Sequence, residues 1–125
     1  MKLFSAHIED LRSLYINHLK KALDMEQKIV KSLPDLIQKS TDPELSDAFR
    51  IHLDETQGHV SSVESLLRKH IGETPTETCK VISSLTTEAS DAIKDATDPS
   101  VRDVALIGAA QQVSPILREK KCWSR

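Results

Sequence analysis

The chain has 125 residues, of which 29% are charged and 38% hydrophobic, the composition of a single ordinary domain. A net charge of −2 excludes the strongly basic class of nucleic-acid or anionic-membrane binders, and no apolar run is long enough for a membrane span or a signal peptide. Three glycines, five prolines and an aromatic fraction of 3% favour long helices over a β-sandwich.

The first predicted helix covers residues 6–39, and its apolar side chains recur at about 100° per residue on one face. These side chains are Phe4, Ile8, Leu11, Tyr15, Leu19, Ala22, Leu23, Ile29, Val30, Leu33 and Ile37. Ser5 is the predicted N-cap. Pro34 predicts a kink rather than a helix end, because the apolar stripe crosses it in phase. Glu26 falls near the middle of the apolar face.

The second predicted helix covers residues 43–71, and both of its ends have clear signals. Asp42 can cap the helix, Pro43 suits its first position, and the charge of Glu44 complements the positive helix end. Gly72 is the stop signal. Together, the first and second predicted helices form a long antiparallel hairpin.

Two shorter helices are expected after the hairpin. The third, more polar helix covers about residues 78–96, and Thr97-Asp98-Pro99 then repeats the start signal for a fourth helix rich in small residues. Ser114-Pro115 is expected to stop that helix. We therefore predict a helical domain over residues 1–113 and an atypical tail over residues 114–125.

Glu26 is the residue that raises a question of function, because a carboxylate within an apolar face needs a partner, a proton or a cation. Tyr15 or a histidine from another helix could hydrogen-bond to it. On the second helix, His52, Glu55 and His59 have the spacing i, i+3, i+7 and lie on one side. Carboxylates and imidazoles that face each other across two helices are typical of dinuclear iron or manganese sites in bundles.

The same residues also allow a purely structural interpretation. A histidine beside an apolar stripe packs more often than it binds a metal, and Glu55 alone would be a solvated residue. The spacing Glu55-x-x-x-His59 also differs from the Glu-x-x-His of bundle di-iron motifs. Other chemistry has little support: the glycines are isolated, and Cys79 and Cys122 lie far apart, as expected of reduced cytoplasmic thiols. No small-molecule substrate is identifiable.

Several ungapped blocks between about residues 10 and 113 follow one known pattern. They are Leu23-Asp-Met-Glu-Gln-Lys-Ile-Val-Lys-Ser-Leu-Pro34, Pro43-Glu-Leu-Ser-Asp-Ala-Phe49, His52-Leu-Asp-Glu-Thr-Gln-Gly-His-Val60, Thr78-Cys-Lys80 and Val101-Arg-Asp-Val-Ala-Leu-Ile-Gly-Ala-Ala-Gln-Gln-Val113. In these blocks the chain resembles the YciE/YciF-type ferritin-like proteins of bacteria.

This resemblance implies an all-α, ferritin-like helical bundle, commonly a homodimer, that is linked to bacterial stress responses and carries a dimetal site. By position, Glu26 and Glu55 would be the carboxylate ligands of iron or manganese. His59, and after it His52, would be the imidazole ligands, although family members often have Gln at the position of His59.

The chain departs from the family pattern after Val113. The family continues with Glu-His-Tyr-Glu and a further long helix, whereas this chain has Ser114-Pro-Ile-Leu117 and then few residues. We therefore expect a truncated or frame-shifted member, with an incomplete bundle that leaves apolar surface of the first two helices uncovered. Its dimetal site would lack acidic ligands and would need a second subunit to complete it.

Two functions follow from these observations. The first is a stress-associated ferritin-like protein, not an enzyme in its own right, with an incomplete dimetal carboxylate site. The second is a non-catalytic helical scaffold or dimerisation module, whose open face a partner covers. Neither function involves nucleic acid or a membrane.

Overall fold

The computed structural model describes the backbone of residues 9–123 and the side chains of residues 9–112. Its four helices are α1 (Leu11–Lys39), α2 (Pro43–Ile71), α3 (Lys80–Asp95) and α4 (Pro99–Trp123). Helices α1 and α2 pack along each other as an antiparallel hairpin, α3 packs on α1, and α4 packs on α3. The predicted all-α fold, a long hairpin with two shorter helices, is confirmed.

Helix α1 begins later than the apolar pattern predicted. Asp10 has an extended backbone, and its side chain accepts a 2.7 Å hydrogen bond from the backbone N–H of Ser13, so Asp10 is the N-cap. The predicted start at residue 6 is therefore wrong; the proposed cap, Ser5, lies outside the described residues. Pro34 lies inside α1, which continues to Lys39 as predicted.

Both predicted ends of α2 are confirmed. The Asp42 carboxylate accepts a hydrogen bond of 3.1 Å from the backbone N–H of Glu44, and Pro43 occupies the first turn. Gly72 ends the helix in the left-handed conformation, with φ of 74°, and its N–H bonds to the carbonyl of Arg68. A residue with a side chain would be strained at this backbone angle.

Helix α4 does not end at Ser114-Pro115 as predicted, because its backbone remains helical to Trp123. A proline within a helix removes one backbone donor and leaves the rest of the hydrogen-bond ladder in place, so it need not end the helix. Pro34 in α1 shows the same tolerance. The division into a domain over 1–113 and a tail over 114–125 remains a prediction.

The apolar core consists of two clusters along the α1–α2 hairpin. The first cluster draws on all four helices and contains the buried residues Met25, Ile29, Leu33, Phe49, Ile82 and Leu106. The second joins the N-terminal half of α1 to the C-terminal half of α2 and contains Ile16, Leu19, Leu23, Val63 and Leu67. Over the described residues, none of the helices is long and apolar enough to cross a membrane.

Candidate functional site

Glu26 is fully buried in α1, as its place in the apolar stripe predicted. Its neighbours in sequence belong to both core clusters, since Met25 lies in the first and Leu23 in the second. The carboxylate therefore lies where the two clusters meet. A charge removed from water at such a position costs free energy unless a cation or a hydrogen-bond donor compensates it.

The imidazole of His59 on α2 approaches this carboxylate. Nδ1 of His59 lies 3.6 Å from Oε2 of Glu26, an electrostatic contact slightly longer than a hydrogen bond, and the His59 side chain is 37% exposed. Of the two protein partners that the sequence allowed for Glu26, the structure supplies the histidine. Tyr15 instead lies near the surface, with its ring edge-on to His70 at a centroid distance of 5.3 Å.

His52 lies two turns before His59 on α2 and is half-buried. Burial lowers the pKa of the His52 imidazole; the charges of Glu55 and Glu26 raise it, and His59 lowers it further. The net effect is a pKa below the ordinary value, so His52 is neutral at pH 7. A neutral imidazole at the edge of the core fits the packing role that the sequence also allowed.

A narrow cleft of about 50 Å³ lies beside His52, between the α1–α2 hairpin and the α3–α4 pair. Its walls are mainly apolar and come from all four helices, among them Leu33, Leu36, Phe49, Leu85 and Ala109. The cleft is too small for a metabolite, since ligand pockets usually have volumes of roughly 300–1,000 Å³.

Glu55, the second predicted carboxylate ligand, is exposed on α2. Within residues 9–112, no three His, Cys, Asp or Glu side chains converge in a way that could hold a metal ion. Glu26 and His59 have ligand chemistry that suits iron or manganese, but a dinuclear centre needs further carboxylates and imidazoles. The donors described in one chain therefore do not fit a complete dimetal centre.

Asp103 is a buried polar residue that the sequence pattern did not reveal. Its carboxylate accepts hydrogen bonds from the Thr41 N–H at 2.9 Å, the Thr41 hydroxyl at 2.7 Å and the Asp42 N–H at 3.0 Å. These hydrogen bonds, those of Thr41 first, hold the pKa of the Asp103 carboxyl below its usual value. Val104, the next residue along α4, and Val101, two residues before Asp103, are both exposed, so the nearby valines do not mark the side of α4 that faces the core.

Asp24 has a similar bridging role nearer the middle of α1. Its Oδ2 accepts a 2.8 Å hydrogen bond from the N–H of Cys79, the residue before α3, and lies 2.8 Å from Lys28 Nζ. The same ammonium donates to the hydroxyl of Ser83 on α3 at 2.9 Å. The carboxylate thus satisfies a backbone donor at the start of α3 that has no side-chain cap of its own.

Known proteins resemble the chain in both sequence and structure. It is 27% identical over 108 residues to protein YciF of Escherichia coli K12, and the match covers 86% of this chain and 65% of YciF. The chain thus spans slightly less than two thirds of the length of that relative. The crystal structure of the E. coli stress protein YciF superposes with a TM-score of 0.77 at 27% identity, over 85% of this chain and 67% of that one.

A second solved structure is similar to a greater extent. YcfI from Rhodopseudomonas palustris, described as a candidate structural protein, gives a TM-score of 0.83 at 30% identity, covering 89% of this chain and 71% of YcfI. The model of a family described as a domain of unknown function, DUF892, matches residues 10–116. This match includes α1, α2, α3 and most of α4, and the chain belongs to the DUF892 family.

Proposed function

We propose that the chain is a non-catalytic, stress-associated helical protein of the cytoplasm, in which Glu26 and His59 form a structural pair rather than part of a complete dimetal centre. The observation that carries this proposal is the ligand geometry. His59 Nδ1 comes within 3.6 Å of the buried Glu26 carboxylate, whereas the other predicted carboxylate, Glu55, faces solvent. The likeness to the E. coli stress protein YciF supports the link to stress.

The metal content of the purified chain tests this proposal. After anaerobic incubation with Fe²⁺ or Mn²⁺ and dialysis, we expect mass spectrometry to find well below about one ion per chain, since two donors hold such ions weakly. The Glu26→Ala variant should retain as much metal per chain as the wild-type protein. About two ions per chain, lost in Glu26→Ala, would instead support an iron or manganese site. In that case Glu26 and His59, with His52 and Glu55, would act as ligands across a homodimer.

The outer face of α4 favours a second function, which is dimerisation. Val101, Val104 and Ile107 are 59%, 68% and 41% exposed, whereas the charged Asp103 is buried and Arg102 is half-buried. An ordinary amphipathic helix directs charged residues to water, whereas this part of α4 exposes a row of apolar side chains. We infer that a second copy of the chain covers this apolar surface, in line with the homodimers that the family resemblance implies.

The variant Val104→Lys tests the dimer. An ammonium at the centre of an apolar interface would be desolvated without a partner, so we expect the dissociation constant to rise on the order of tenfold or more. Sedimentation equilibrium over a range of concentrations measures this constant. Val81→Lys, at a 58% exposed position on α3, is the matched control and should leave the constant unchanged. A monomeric wild-type chain would contradict the dimer, and a Val104→Lys variant that dimerises as tightly as wild type would contradict α4 as its interface.

A further inference from the structure

The α3–α4 pair contributes little to the apolar core. Of its described side chains, Ile82 and Leu106 are the buried apolar ones. The α1–α2 hairpin supplies the others, which are Ile16, Leu19, Leu23, Met25, Ile29, Leu33, Phe49, Val63 and Leu67. Because hydrophobic stabilisation scales with buried apolar area, the α3–α4 pair is held to the hairpin more weakly than α1 and α2 are held to each other.

One end of the α3–α4 pair is anchored next to a turn. Gly72 redirects the chain with a left-handed backbone, and the following segment runs back along α1. Asp24 then accepts the N–H of Cys79, and Lys28 donates to Ser83 in the first turn of α3. Residues 72–79 and the start of α3 are therefore fixed to α1, and the rest of α3 extends away from this anchor.

The other end of the pair depends on one carboxylate. The hydrogen bonds that the structure describes between α4 and the first hairpin are the three accepted by Asp103. Their donors, the N–H and hydroxyl of Thr41 and the N–H of Asp42, belong to the α1–α2 turn. Asp42 directs its own carboxylate to Glu44, and Arg102 adds a favourable charge on the α4 side. Loss of the Asp103 bonds removes the hydrogen bonds described at this end and weakens its attachment to the α1–α2 turn.

The cleft lies between the anchored end and the Asp103 end. Its lining includes Phe49 and Leu33 of the hairpin and Leu85 and Ala109 of the α3–α4 pair, and His52 lies on its wall. The cleft is partly open to solvent, so side chains do not fill this part of the boundary, although the first core cluster continues across the boundary beside it. Separation of the two layers would expose a continuous apolar groove on α1 and α2.

We propose that α3 and the part of α4 over residues 99–112 form a lid over this groove, which pivots about the anchored start of α3 and is latched by Asp103. The lid moves as a unit about its anchor near Asp24 while the α1–α2 hairpin keeps its structure. Opening gives solvent access to His52 and to the apolar wall around Phe49. This device is independent of the proposed function, since it requires neither a metal nor a dimer.

Hydrogen–deuterium exchange of the full chain, read by mass spectrometry, tests the lid. In Thr41→Val, which deletes the hydroxyl bond, and in Asp103→Asn, we expect amides of residues 80–112 to exchange on the order of tenfold faster, as loss of charge-assisted hydrogen bonds implies. Amides in the middle of α1 and α2 should keep their wild-type rates. Binding of an apolar fluorescent dye should rise in parallel, because the groove becomes exposed.

Two control variants separate the latch from nonspecific effects. Thr41→Ser keeps the hydroxyl donor, and Asp98→Asn alters a carboxylate that accepts only from Val101 within α4, so both should exchange like the wild type. Faster exchange of equal size in all four helices would overturn the lid, because it would indicate global unfolding. Unchanged exchange in Thr41→Val would overturn it as well. If Asp103→Asn fails to fold, Thr41→Val decides the result.

Discussion

The substitution Leu67→Ala is expected to lower the free energy of unfolding by about 2–5 kcal/mol. Leu67 is fully buried on α2 and belongs to the cluster in which Leu23, also fully buried, is its counterpart on α1. Truncation removes apolar contacts and leaves a cavity in a region that two helices alone must fill. Since small domains are stable by about 5–15 kcal/mol, the loss is a large fraction of the total. Urea denaturation followed by circular dichroism measures it.

The adjacent leucine provides the matched control for this measurement. Leu66 is 38% exposed, so Leu66→Ala should cost less than about 1 kcal/mol, and the higher helix propensity of alanine offsets part of that. Equal losses in the two variants would contradict the assignment of Leu67 to the core. Such a result would also mean that α1 and α2 pair with a different rotation about their axes.

Glu26→Leu and His59→Leu are expected to change stability in opposite directions. Leucine fills nearly the volume of Glu26 and removes a fully buried carboxyl group, so the free energy of unfolding should stay the same or rise by up to about 2 kcal/mol. His59→Leu takes the imidazole away from a carboxylate that remains buried, which should cost about 1–3 kcal/mol. Urea denaturation at pH 7 with a metal chelator compares the two variants.

The double variant Glu26→Leu/His59→Leu completes the thermodynamic cycle. It should recover most of the stability lost in His59→Leu, because no buried carboxylate is left without its imidazole. Glu55→Leu is the control at an exposed site and should change stability by less than about 0.5 kcal/mol. A loss of more than about 3 kcal/mol in Glu26→Leu would contradict this prediction, since it would mean that folding requires the carboxylate and that an apolar side chain cannot replace it.

Local signals in the sequence were sufficient for both ends of α2, where each boundary depends on nearby atoms. Asp42, Pro43 and Gly72 define α2 correctly because a cap, a proline and a left-handed glycine each act within one turn. At the start of α1, apolar periodicity led to Ser5 as the predicted cap, because it carried the helix to residue 6, whereas the structure has the cap at Asp10. The carboxylate of Asp10 reaches the N–H of Ser13, and this bond determines where α1 begins.

The candidate site was predictable only in part. Periodicity alone placed Glu26 in the core, which the structure confirms. Which histidine would face it depends on how far α2 is displaced along α1, since His52 and His59 lie two turns, or roughly 10 Å, apart on α2. The short turn at residues 40–42 sets this displacement and brings His59 to Glu26. The displacement of α2 along α1 could not be predicted from the sequence pattern.

Asp103 was missed for a different physical reason. Its environment comes from the α1–α2 turn, 62 residues earlier, where Thr41 supplies two donors. A helix with Asp103 facing inward and Val104 facing outward contradicts the binary pattern on which sequence prediction relies. The buried position of Asp103 and the exposed position of Val104 therefore become apparent only from the packing of α4 against the other helices.

The bonds of Asp103 also have a consequence for the order of folding. Most contacts in this fold join neighbours along the chain, through short connections between consecutive helices. The contact between Asp103 and Thr41 closes a loop that contains all of α2 and α3, so its entropic cost is met only after those helices have formed. We therefore expect amide protection in α4 to appear last during refolding, and earlier protection there than in α2 would contradict this order.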